Sequence, residues 1–163
     1  MIYKSKEFLP VKILIMLYRT LVLPNINYCF LVWGTAPRSA LHEILLIQKK
    51  FLRLVDGLPY RYTTAGLFEN YSMVSVHNMY KCRLLLTYRK VRLDNNAAFF
   101  EIANLSRAVH SYPCRYQQKW SSARRRTSYG EQMLQYTIPS LLNNISVDLL
   151  TCPMKCILNY FSG

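Results

Sequence analysis

Between Ser39 and Val55 the residues Leu41, Ile44, Leu45, Gln48, Phe51, Leu52 and Val55 recur at three- and four-residue steps, the spacing of one face of an α-helix. His42, Glu43, Lys49, Lys50 and Arg53 fall on the other side, and Gly57 stands just past the end, where a left-handed residue closes helices. A helix with one apolar face requires a core to lie on. The chain has the material: of 163 residues 52% are hydrophobic and 18% charged, enough apolar surface to offset the entropy of ordering one domain.

The flanking segments read as helices too. Pro10 to Tyr18, PVKILIMLY, is apolar nearly all round with Pro at a first-turn position, the pattern of a buried helix. Pro24 predicts a kink or restart, with a second piece running through Asn27, Tyr28, Cys29, Leu31 and Trp33 to Gly34. Thr63 or Thr64 is placed to cap a short helix through Phe68, and Ser75 a longer one from Val76 to about Leu93. In the latter, Lys81, Arg89 and Arg92 share roughly a quarter-turn at ~100° per residue, while Val76, Met79, Tyr80, Leu84 and Val91 supply apolar contacts. A further short helix is expected through Ala97, Phe99, Phe100, Ile102 and Ala103.

After residue 105 the character changes. His110 to Arg126, HSYPCRYQQKWSSARRR, predicts an extended basic loop; Thr127 to Ile138 reads as one or two short strands turning at Ser128, Tyr129 and Gly130. Small helices complete the tail from Leu141. The expected organisation is thus mainly α: residues 1–105 a helical bundle, and 106–163 a basic loop, room for one short β-hairpin, and small C-terminal helices.

Twenty-one Lys and Arg stand against eight Asp and Glu, a formal charge of +13, and such asymmetry points to a polyanion: nucleic acid or an anionic membrane surface. Ile13 to Trp33 is the most apolar stretch, but Arg19, Pro24, Asn25 and Asn27 make it a poor membrane span. Cys29, Cys82, Cys114, Cys152 and Cys156 are odd in number and mostly far apart. They read as reduced thiols in an intracellular protein, nuclear or cytoplasmic, mostly small core residues; Cys152 and Cys156 alone cannot supply four zinc ligands.

Phosphoryl-transfer polymerases hold two divalent ions on converging carboxylates. Glu7, Glu43, Asp56, Glu69, Asp94, Glu101, Glu131 and Asp148 are each isolated, and no phosphate-binding glycine loop or hydrolase motif occurs. The chain reads as no enzyme, with no catalytic or metal-binding residues and no cofactor. His42, His77 and His110 lack an oriented partner and read as structural. Cations and rings do alternate through Arg115, Tyr116, Lys119, Trp120, Arg124, Arg125 and Arg126, a pattern able to grip phosphates and stack on unpaired bases, though a solvated basic loop has the same composition.

Two strings are more specific. LYRTLVLPNINYCFLVWG supplies Leu17, Tyr18, Pro24, Tyr28, Cys29, Val32, Trp33 and Gly34, and LLIQKKFLRLV supplies Gln48, Lys49, Lys50, Leu52 and Arg53. In that order they resemble the region after the palm in jockey-like non-LTR (LINE-type) retrotransposon reverse transcriptases, which has an L-Y, a Pro, Y-C, V-W-G and then Q-K-K-x-L-R. Weaker similarity runs through Leu67-Phe68, Tyr80-Lys81, Tyr112, Arg115, Arg126-Thr127, Gly130, Gln132, Tyr136, Pro139 and Asn143. Leu142 stands where the family has Trp, and Ser146 where it has Pro.

The resemblance implies a thumb-like helical region and tail, a truncated or degenerate copy lying downstream of the palm. The catalytic aspartates, the fingers and the endonuclease of the RNA-directed DNA polymerase would then lie outside this chain, as would the enzyme's need for magnesium. The expected partners are RNA, DNA or their hybrid, and the upstream palm and fingers, rather than a membrane. The expected nucleic-acid contacts are Lys49, Lys50, Arg53, Lys81, Arg89, Arg92, Arg115, Lys119, Trp120, Arg124, Arg125 and Arg126. Two other readings stay open: a structural remnant that packs on the missing palm, and a small basic membrane-associated protein.

Overall fold

A computed structural model describes residues 7–94, 97–109, 119–122 and 124–162. The protein is mainly α. Its contacts divide into two compact units, one of the described residues through Tyr80 together with those from Leu158 on, the other of residues 81–157. This division follows packing and differs from the compositional one at 105/106.

The first unit opens with α1 (Val11–Leu17), which has Pro10 at its N-cap. A wide π-turn, Tyr18–Val22, follows, in which the Leu23 N–H reaches back to the Tyr18 carbonyl, and the chain runs directly into α2 (Leu23–Asn27) with Pro24 in its first turn. Proline has no N–H to give and its ring crowds the carbonyl four residues back, so widening the preceding turn lets the helix pass through it. The Asn25 amide covers the Leu21 carbonyl at 2.6 Å.

The break expected at Pro24 therefore lies later, where Tyr28 is extended and Cys29 is left-handed at φ 49°. Beyond it α3 (Phe30–Trp33) ends at Gly34, and a Cβ there would run into the Phe30 carbonyl and come within 2.9 Å of the Phe30 ring. Phe30 and Trp33 meet edge to face at 4.5 Å, and the indole N–H donates to the Tyr28 carbonyl at 2.7 Å.

Helix α4 (Arg38–Asp56) is the periodic segment, and it buries Leu41, Leu45, Gln48, Phe51, Leu52 and Val55, with Ile44 half-buried. Gly57 closes it at φ 70°, with the Leu58 N–H returning to the Arg53 carbonyl at 2.9 Å. Tyr18 stacks on Phe51, ring centroids 4.5 Å apart, and both belong to a core with Leu14, Phe30, Leu52 and Phe68.

Gln48 is fully buried in that core. Its amide donates to the Tyr18 hydroxyl at 3.1 Å and the Val74 carbonyl at 3.3 Å, and its oxygen accepts the Val76 N–H at 2.9 Å. That last bond satisfies an orphan donor at the start of α6 (Val76–Leu93), the helix expected from Ser75 onward. Before it α5 (Ala65–Asn70) follows Thr64, a buried residue whose hydroxyl makes no capping bond, so Thr64 marks the helix start without the expected cap. The end of α11 (Met154–Ser162) completes the unit, with the Asn78 amide donating to the Phe161 carbonyl at 3.1 Å.

In the second unit α9 (Leu134–Asn144) packs on α7 (Ala97–Ala103) and on α8 (Ser128–Gln132), burying Ile138, Leu141 and Leu142. Tyr88 meets Phe100 edge to face at 6.3 Å. The hairpin expected over 127–138 does not form. Thr127 caps α8 by accepting the Gly130 N–H at 3.2 Å, and α9 carries Tyr136, Thr137 and Ile138 in helix although all three favour strands. Burial of one helical face, with even Pro139 inside, outweighs that preference. Beyond α9 lies α10 (Val147–Thr151), one of the small helices expected in the tail. Among the described residues β pairing is a lone antiparallel bridge between Arg107 and Trp120.

No helix among the described residues is long and apolar enough to cross a membrane. Of the four described cysteines only Cys82 is fully buried; Cys29 and Cys156 are exposed, which corrects the reading of the thiols as mostly core. Cys114 lies outside the described residues.

Candidate functional site

Leu45, Lys49 and Arg53 follow one another at four-residue steps, so they form one ridge of α4 and one wall of a groove in the first unit. The groove has a volume of about 770 Å³. Arg61, Tyr62, Thr63 and Thr64 form its next wall, Gly66, Phe68 and Glu69 of α5 another, and Ser75, His77 and Asn78 lie at the start of α6.

Local bonds hold this frame. Arg53 donates its Nε to the Tyr62 carbonyl at 2.9 Å and sets its guanidinium 5.5 Å over the Tyr60 ring, so the segment after α4 is folded back against the helix. At Gly66 a Cβ would meet nothing within 4 Å, which leaves that side of the groove open.

The electrostatics are one-sided. Lys49, Arg53 and Arg61 line the groove against the single carboxylate of Glu69, among the described residues. His77 is held below the ordinary imidazole range, first by burial and then by the charges of Arg38, His42 and Lys49. Its Nδ1 is buried with no hydrogen-bond partner among the described residues. Such a surface suits an anion with several acceptor oxygens.

The sequence-predicted contacts are thus distributed unevenly. Lys49 and Arg53 come together in the groove, and Lys50 is exposed beside them. Arg61 and His77 were missed: Arg61 sits in an unpatterned turn after Pro59, and His77 has no sequence-adjacent partner. The spacing of Lys49 and Arg53 was the available signal.

In the second unit Lys81 and Arg92 are exposed, whereas Arg89 is half-buried and donates to the Cys152 carbonyl at 2.8 Å. The arginine run divides in the same way. Arg124 and Arg126 are exposed; Arg125 lies across Gly130 and donates to Gln135 Oε1 at 2.8 Å.

Lys119 is exposed and Trp120 half-buried. The Trp120 backbone is clasped by Asn143, which accepts its N–H and donates to its carbonyl, both at 2.9 Å. Arg115 and Tyr116 lie outside the described residues. All eight acids are exposed, and among the described residues no three His, Cys, Asp or Glu gather as metal ligands would. No protein-family model, curated protein or solved structure matches the chain.

Proposed function

We propose that this chain is the thumb and tail of a jockey-like non-LTR retrotransposon reverse transcriptase, a non-catalytic region that grips primer-template nucleic acid through phosphates. The observation that carries the reading is the groove, where Lys49 and Arg53 of the Q-K-K-x-L-R-like string join Arg61 and His77 around a nucleotide-sized space with Glu69 as its one carboxylate among the described residues. The family side of the proposal draws support from the contact between its two motif strings, since Tyr18 of one is bonded to Gln48 of the other inside the core. Residues that composition alone reads as separate cores and caps thus act as one unit.

Phosphate neutralisation releases counterions, so affinity for an RNA–DNA hybrid falls linearly in log–log terms with salt, by roughly 0.7–0.9 per phosphate contact. Replacing Lys49 and Arg53 by Gln is expected to weaken binding uniformly across base sequences and to flatten that slope by about one per residue. Affinity unchanged between low and high salt refutes the reading. No template-directed nucleotide incorporation is expected with magnesium or manganese, because the acids are isolated and exposed.

A second reading is favoured by a different observation. Met16, Leu21, Tyr28 and Val32 of the N-terminal helices are 55%, 56%, 76% and 77% exposed. Apolar side chains left open along one segment suit docking on an upstream palm, and the isolated chain would then self-associate. Sedimentation tests this: a monomer at all accessible concentrations rejects it.

A further inference from the structure

The groove gathers three cations, Lys49, Arg53 and Arg61, against one carboxylate among the described residues. The three repel one another across it, and Arg53, which donates its Nε to Tyr62 and lies over the Tyr60 ring, has no acceptor for its terminal nitrogens among the described residues. Arg61 is exposed and makes no bond within the described residues. A volume of about 770 Å³ lies in the range that holds a nucleotide-sized ligand. Tyr62 at the wall offers a ring for a base.

We infer that the groove is a proton-coupled phosphate seat, holding one nucleotide unit of a nucleic-acid strand between Lys49, Arg53 and Arg61 and taking up a proton at His77 as it fills. The identity of the ligand rests on the nucleic-acid reading above; the anion chemistry does not.

The coupling follows from what surrounds His77. Arg38, His42 and Lys49 of α4 bear on it, and Arg53, Arg61 and Glu69 are the other charged groups lining the groove. Burial and the α4 cations lower the proton affinity of the imidazole in the unliganded groove. A phosphate among those cations cancels their repulsion and favours the charged ring. The bound form therefore holds the proton more tightly than the free form. Affinity must then rise as pH falls between the two ionisations, by at most about tenfold per pH unit for one linked proton.

The experiment measures fluorescence anisotropy of a labelled single-stranded oligothymidylate with the full chain, across the range of about pH 5 to 8 where imidazoles titrate. Inorganic phosphate is the competitor. Arg61→Gln and Gly66→Glu are expected to weaken binding by about tenfold or more, the first by removing a charged donor and the second by adding a carboxylate where a side chain has room. His77→Gln is expected to bind at neutral pH and lose the pH dependence, which His42→Gln keeps. If the oligonucleotide binds with unaltered affinity to both Arg61→Gln and Gly66→Glu, the seat is wrong and the nucleic-acid reading survives on other cations. If phosphate binds and the oligonucleotide does not, the seat stands and the nucleic-acid reading falls. Retention of the full pH dependence in His77→Gln overturns the coupling.

Discussion

Replacing Gln48 by Leu is the sharpest test of how the first unit holds together. The two side chains are similar in size, so the change removes three hydrogen bonds while leaving little cavity. The Val76 N–H and the Tyr18 hydroxyl are stranded, for Val76 is fully buried and Tyr18 is 1% exposed, and each buried orphan costs about 1–3 kcal/mol. The Val74 carbonyl belongs to a half-buried residue and recovers water. Leucine returns about 1 kcal/mol through its greater hydrophobicity. The net expectation is a loss of about 3 kcal/mol, or a fall in Tm of roughly 6–12 °C for a chain of this length.

Tyr18→Phe keeps the stack on Phe51 and leaves the Gln48 amide bonded to Val74, so it costs only about 1 kcal/mol. In the double variant no hydroxyl is stranded, and its loss is smaller than the sum of the singles by about 1–2 kcal/mol. Thermal unfolding for Tm and urea unfolding for the cycle, both followed by Trp33 fluorescence in a Trp120→Phe background, report on this unit. A fall in Tm below about 2 °C for Gln48→Leu, or strict additivity in the cycle, refutes the reasoning.

Gly34→Ala places a methyl against the Phe30 carbonyl and ring and is expected to destabilise by about 1–3 kcal/mol, measured by the same unfolding assay. Tyr71 is pushed up to about 12 by burial, by its hydrogen bond to Asp56 and by the charge of that carboxylate. The native state thus holds this proton more tightly than the unfolded chain, so its contribution is complete below about pH 10 and lost as pH rises toward 12. Asp56→Asn removes the carboxylate charge and leaves a weaker, neutral acceptor for the hydroxyl, and tyrosinate absorbance should then develop at lower pH. Asn143→Ala frees both backbone groups of Trp120, with an expected loss of about 1–2 kcal/mol and faster hydrogen exchange at the Trp120 amide. Arg125→Gln is expected to lower stability with little change in salt slope, and Arg126→Gln to do the reverse, as paired thermal melts and salt titrations can show.

The fold was most legible where one interaction scale dominates. Helix α4 was readable almost to the residue because periodic burial, a closing glycine and the lack of internal proline all agree. Over 10–34 the helical content was legible and the breakpoint was not. A π-turn absorbed Pro24, while the reversal fell on Cys29, a residue with no local preference for the left-handed region. Over 127–138 local β propensity pointed the wrong way, since the packing of α9 on α7, which decides the matter, joins residues more than thirty positions apart.

The candidate site divides along another line. Sequence identifies every cation, yet it cannot tell which ones the fold has already engaged. Arg89 and Arg125 are as basic as Arg53 and Arg61, and nothing in their neighbours' identity sets them apart. The difference arises when Cys152 and Gln135 arrive as acceptors from 63 and 10 residues away. A guanidinium whose terminal nitrogens meet a carbonyl or amide oxygen in the folded chain becomes a tie, and one whose terminal nitrogens meet no such oxygen is left to an external anion. Lys49 and Arg53 were legible because a helix fixes their spacing in advance. Arg61 and His77 join them only after α4, the turn that follows it and α6 have packed, and only then does a scattered set of charges become a site.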